Sequence, residues 1–329
     1  MLYSGSLDNS SVGALVKLAG VYFTGEESEM STIHFCLLCH TEGTADDFTI
    51  GLPAMLKLRE RVERQTGRKV PFTWTLGTYH FNDPEKNQLS VFDEYGEIFK
   101  ELLERGDEIG LHPHGIPDEN CVMKIDPFIS ADTKALQDAG FPKPNTIVVG
   151  TWSLYPSTVQ IIEQEGYHVD SSVAGGKQVQ DGIVIYEYPP DDTLHAVWRR
   201  PYRIARDNVL RSGDSGVIEV PISGHVTEFG RGEEEELVWE FFEHYITKRF
   251  KMRWERREEI PVDVFEVFWH PSEAIENWPS RNLNTPMLER FEKFLLQIST
   301  WEGVQFSTVY DATMDWNHRT EDVLSGKSA

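Results

Sequence analysis

Cysteine is scarce: three residues in a chain of 329 cannot build a disulfide framework. Basic residues are outnumbered, 31 Lys and Arg against 54 Asp and Glu, and the resulting formal charge of −23 would be repelled by nucleic acid or an anionic membrane. Neither is expected as a partner; neutral or cationic ligands fit the charge better. Long apolar runs are missing too. The stretch Val12 to Phe23 is too short to span a bilayer and is broken by Lys17. No basic, apolar leader precedes it, so the expected compartment is the cytoplasm. Low-complexity tracts are absent, and a 40% hydrophobic content is ample for a packed core. The acidic run Glu233 to Glu236 reads as the solvated first turn of a helix, where negative charge suits the macrodipole.

What is present is alternation. From residue 31 onward short apolar runs alternate with helical patterns, as in βαβ units around a parallel sheet. Strands are expected at Ile33 to Cys39, Val70 to Leu76, Glu108 to His112, Thr146 to Val149, Tyr167 to Ser171, Val217 to Ile222, Val264 to Trp269 and Val304 to Ser307. Helices are expected at Leu52 to Arg64, Val91 to Arg105, Pro156 to Glu165, Glu233 to Phe250 and Thr285 to Ile298, with Gly67, Gly106 and Gly166 just past three of them as terminators. The fold class that follows is α/β, an irregular parallel (β/α) barrel of seven or eight strands. Residues 1–29 read as an N-terminal appendage, 30–315 as the barrel domain and 316–329 as a C-terminal tail. Ile183 to Tyr202 reads as an inserted excursion with β-type alternation. Cys36 and Cys39 form a CxxC, but three positions apart on a strand they face opposite ways, which argues against a redox or zinc role.

Groups at the C-terminal ends of parallel barrel strands converge on one mouth. Here those ends carry His40 and Glu42 after the first strand, His112 and His114 after the third, Asp170 on the fifth and His270 after the seventh. Residues two apart on a strand share a face, so His40 pairs with Glu42 and His112 with His114. Two imidazoles and a carboxylate make a three-ligand set that leaves positions open on a divalent metal, zinc being the expected ion. Each residue alone has a structural alternative: Glu42 as a capping group, His270 as a satisfied core histidine. His34, on the same face but deeper, reads as structural.

The segments LCHTEG, GDEIGLHPHG, TWSLYPSTVQIIEQEGYHVDSSV, VIEVPIS, FWHPSE and GVQFST, in that order, resemble the polysaccharide deacetylase (NodB-homology) superfamily over roughly residues 31–310. The resemblance implies a metal-dependent hydrolase acting on a C–N amide bond, such as an N-acetylated sugar or glycan. It matches Glu42 to the metal carboxylate, His112 to the first metal histidine and His270 to the acid of the last motif. His40 stands where the family has an aspartate base. Two departures accompany it. The usual second histidine, four residues after the first, is Ile116, leaving that place to His114. The arginine that orients the base is replaced by Val148, and Arg199 or Arg200 would have to supply its charge. Asp170, Ser171 and Ser172 are expected at the pocket floor or around the ligands, and Trp74, Trp152 and Trp269 could stack on a sugar or pack in the core. A barrel that binds carbohydrate without turnover and a C–N hydrolase acting on a non-sugar substrate are the competing expectations.

Overall fold

The computed structural model describes residues 31–42, 46–77, 90–117, 123–152, 154–174, 177–180, 183–186, 200–230, 246–275 and 287–325. The appendage 1–29, the run Glu233 to Glu236 and Arg199 lie outside the described residues, and so does most of the excursion.

In chain order the elements are β1 (Thr32–Thr41), α1 (Leu52–Thr66), β2 (Phe72–Gly77), α2 (Ser90–Glu104), β3 (Glu108–His112), β4 (Ile116–Pro117), β5 (Met123–Lys124), α3 (Asp126–Asp138), β6 (Thr146–Ile147), α4 (Pro156–Gln164), β7 (Val169–Asp170), β8 (Lys177–Gln180), β9 (Ile183–Tyr186), β10 (Tyr202–Ala205), β11 (Asn208–Ser212), β12 (Ile218–Glu219), β13 (Ile222–His225), α5 (Ile246–Glu255), β14 (Val262–Trp269), α6 (Met287–Ile298), β15 (Val304–Ser307) and α7 (Val309–Ser325). Eleven strands form one mixed, mostly parallel sheet in the order β11-β10-β12-β7-β6-β3-β2-β1-β14-β13, with β15 also on β1. The sheet curls until its two sides meet in a single stretch of chain. Ile218 and Glu219 pair with β7, and after Pro221 Ile222 to His225 pair with β14. An added bridge, Ala174 to Ile222, helps close the α/β barrel.

Strand alternation sorts side chains into an inner and an outer core. Cys36, Leu38, Val148, Val169, Val220, Val264 and Phe268 pack together inside the barrel. Phe35, Leu37, Cys39, Trp74, Phe265, Val267 and Trp269 face outward against α1 and α6. Cys36 and Cys39 therefore point to opposite faces, and Trp74 and Trp269, both fully buried, are core residues rather than sugar platforms. Gly67 ends α1 at φ 68° with its N–H on the Glu63 carbonyl, the left-handed stop that a Cβ would strain.

The end of the barrel opposite the mouth is plugged by α7, whose Val309 and Ala312 join the inner core. This helix runs through residue 315, where the sequence reading ended the domain, and Arg319 reaches back to donate to the Thr32 hydroxyl at 3.3 Å. Helix α3 has no counterpart among the expected helices, and α5 extends past Phe250 to Glu255. No helix among the described residues is long and apolar enough to cross a membrane.

Candidate functional site

Register builds the site. On β1, Thr41 pairs with Leu76, and on β2, Gly77 pairs with His112, so one residue past Thr41, Glu42 stands level with His112 across Gly77. Gly77 clears the path, because a Cβ there would lie 3.2 Å from the Glu42 Cβ. His114 follows Pro113 just beyond β3 and packs directly on Gly150, where a Cβ would stand 2.6 Å from the ring. Glu42 Oε2 lies 2.5 Å from His114 Nε2 and 3.7 Å from His112 Nε2, and the two ring nitrogens are 2.9 Å apart.

These donors fit a divalent ion. His112 Nδ1 faces the Val148 carbonyl at 2.8 Å, and since a carbonyl only accepts, the ring must donate there and turn a lone pair on Nε2 toward Glu42. Burial favours the neutral ring and, with the His114 charge, lowers the His112 pKa despite Glu42. Burial alone would raise the Glu42 carboxyl, but the His112 and His114 hydrogen bonds and charges hold it well below the ordinary carboxylate range. An ionised carboxylate and neutral imidazoles are the protonation states that bind metal.

His40 lies inside the same mouth, its ring 4.4 Å from His112, stacked on Phe268 at 5.1 Å and edge-on to His270 at 5.1 Å. Its buried Nε2 has no hydrogen-bond partner among the described residues. Burial first, then the neighbouring His112 and His270, lower its pKa well below 6.5, so it is neutral at physiological pH. His270 is 23% exposed on the rim, with Nε2 3.6 Å from Glu42 Oε1. Trp152 completes the wall, 5.8 Å from His40 and 5.1 Å from Phe268. Its φ of 57° is rare for so bulky a residue and marks backbone strain beside the site.

The remaining expected residues sit elsewhere. Asp170 faces outward, one residue out of phase with the inward Val169 and Ser171. It lies beside Glu219, accepts from Ser172 at 2.7 Å, and its charge acts on Tyr202 in the outer core. Ser171 does face inward, but it hydrogen-bonds Glu266 and the Val220 carbonyl. Glu266 pairs with Cys36, four residues or roughly 13 Å below His40. Burial pushes the Glu266 pKa up to about 8, so this floor is uncharged near neutrality. Arg200 has Asp263, Arg253 and Glu259 as its charged neighbours, on the outer side at the start of β14, and supplies no charge to His40.

No family model and no curated protein matches the sequence. Solved structures do match over most of its length. A glycoside hydrolase/deacetylase candidate from Parabacteroides distasonis superposes with a TM-score of 0.55 at 12% identity, covering 88% of this chain and 72% of that one. A polysaccharide deacetylase candidate from Mycobacterium smegmatis gives 0.52 at 11% identity, over 90% and 94%. The chain has the NodB-like deacetylase fold. Puue allantoinase shares it at a TM-score of 0.50 and 11% identity, over 87% and 90%. Identities this low speak for the fold alone.

Within that NodB-like barrel, sequence reasoning missed His225 and Glu273. His225 ends β13 and stacks on Phe268 at 4.1 Å; Glu273 sits three residues after His270 in a short 3₁₀ turn and faces both histidines. The signal was there in part. HPSE has the i, i+3 spacing of a capping box, and His225 continues the strand expected to stop at Ile222.

Proposed function

We propose that this chain is a divalent-metal-dependent hydrolase of a C–N amide bond, with deacetylation of an N-acetylated sugar or glycan as its activity and zinc as its ion. The observation that carries the reading is the convergence of Glu42, His112 and His114 beside a buried, neutral His40 whose Nε2 has no hydrogen-bond partner among the described residues. Glu42, His112 and His114 would hold the ion. Lewis acidity toward water and a carbonyl oxygen is what such an ion supplies when bound. His40, neutral and desolvated, takes a proton from the attacking water. As the C–N bond breaks, His270 on the rim gives a proton to the departing nitrogen. Trp152 offers a half-buried ring at the mouth on which a sugar face can stack.

A binding barrel without turnover is the competing reading, favoured by the absence of a carboxylate at position 40 and by the distance of Arg200 from it. A non-sugar C–N hydrolase is a third, since the allantoinase shares the fold. The test is acetate release from N-acetylglucosamine oligomers by the full chain, before and after chelation. Release that stops with chelator and returns with zinc supports the reading. Tight oligomer binding with no release, metal present, contradicts it.

A further inference from the structure

His225, Thr227 and Glu273 stand at the mouth without a part in the chemistry above, yet their hydrogen bonds constrain where the protons sit. Glu273 Oε1 faces His225 Nε2 at 2.7 Å and His270 Nδ1 at 3.2 Å, and Oε2 accepts from the His270 backbone N–H at 3.1 Å. The Glu273 side chain has no exposed surface. Burial would raise its pKa, but His225 and His270 outweigh that and hold it well below the ordinary range. An ionised carboxylate can only accept, so His225 Nε2 and His270 Nδ1 must both donate to it. When the His225 ring is neutral, Nδ1 is its acceptor, and the Thr227 hydroxyl, 2.7 Å away, can donate there. Phe268, stacked within 5° of coplanar on His225, fixes the plane of that ring.

We infer that Glu273, backed by His225 and Thr227, is a positioning group that holds His270 as the Nδ1–H tautomer and presents Nε2 to the Glu42 side of the mouth. A proton carried by His270 is then exchanged at Nε2, 3.6 Å from Glu42 Oε1, and not at the enclosed nitrogen. The tautomer follows from the hydrogen bonds to an ionised Glu273; its role in leaving-group protonation rests on the hydrolase reading. His225, His270 and Glu273 could instead ligate a second cation, which would reverse each proton and leave both facing nitrogens bare. Enclosure argues against that: Glu273 is fully buried and His225 is 3% exposed, which shuts out the water that fills an open coordination position, whereas Glu42 is 21% exposed.

The experiment is long-range ¹H–¹⁵N imidazole spectroscopy on the full-length, histidine-labelled protein, metal-free and with zinc added. The expected result is His225 as Nε2–H and His270 as Nδ1–H in both states. Glu273→Gln should mix the His270 tautomers while leaving the metal content unchanged, and should lower kcat about 10- to 100-fold with KM held. His225→Gln, a milder change, should shift the same His270 signals and gives a second reading if Glu273→Gln does not fold. A bare His270 Nδ1 in the wild type overturns the inference, as does a second zinc per chain lost in Glu273→Gln, or a His270 tautomer indifferent to both variants. Tautomers as expected in a protein with no turnover remove the hydrolase reading and leave the positioning of His270 standing.

Discussion

The two ends of this barrel are built from the same residue types and differ in how completely these are satisfied. At the plugged end, His34 uses both ring nitrogens, Nδ1 on the Ser307 hydroxyl at 2.7 Å and Nε2 on Asp315 at 2.9 Å, tying β1 to β15 and α7. Glu108 there accepts from Thr73, Thr146 and the Tyr310 backbone. At the mouth, His40 keeps a buried nitrogen with no hydrogen-bond partner among the described residues, and two imidazole nitrogens crowd one Glu42 oxygen. Leaving a buried polar atom unmet costs about 1–3 kcal/mol, a cost that the ion and substrate of the proposed function would relieve at the mouth. Ser307, His34 and Asp315 make a serine–histidine–carboxylate row, and yet their place at the plug makes it a brace.

Variants should respect that division. The largest effect is expected for His270→Ala, which should lower kcat by roughly 10² to 10⁴ while metal content stays near wild type. Metal lost along with activity would make His270 a ligand. Next, Gly150→Ala drives a Cβ into the His114 ring and should weaken metal binding about 10- to 100-fold with little change in melting temperature; equal affinity by competition titration would detach His114 from the site. The smallest change belongs to the other end. His34→Gln should cost about 1–3 kcal/mol of stability and leave metal binding alone. Burial, only partly offset by Asp315, lowers the His34 pKa below 6.5, so the neutral ring's contribution is present above that value and fades as pH falls through 6.5 toward the folded-state pKa. Denaturant titrations should therefore show the wild type losing more stability than His34→Gln between about pH 7 and 5. A variant as pH-sensitive as the wild type would contradict the assignment.

Much of the frame was legible because period-2 apolar runs and terminating glycines are local signals. The strand Glu108–His112 was read to the residue, and the five residues His40, Glu42, His112, His114 and His270 do meet at one mouth. Parity was the weak point. A strand end fixes the level of a residue, but one position decides its face, and Asp170 fell on the outer one while Ser171 turned in far below. His225 was missed because the strand was expected to stop at Ile222, whereas after Pro221 the chain only changes partner, from β7 to β14. Arg200 was placed by its charge alone, and its surroundings on the outer face of β14 depend on packing that no local pattern encodes.

The central claim is that Glu42, His112 and His114 hold a catalytic ion, and counting metal tests it most directly. Elemental analysis of the purified full chain should find close to one transition-metal ion per molecule, and none in a His112→Ala, His114→Ala double variant that melts as the wild type does, because one carboxylate cannot retain the ion. A double variant that keeps its full metal complement would show that the ion, and the chemistry assigned to it, belongs to other residues.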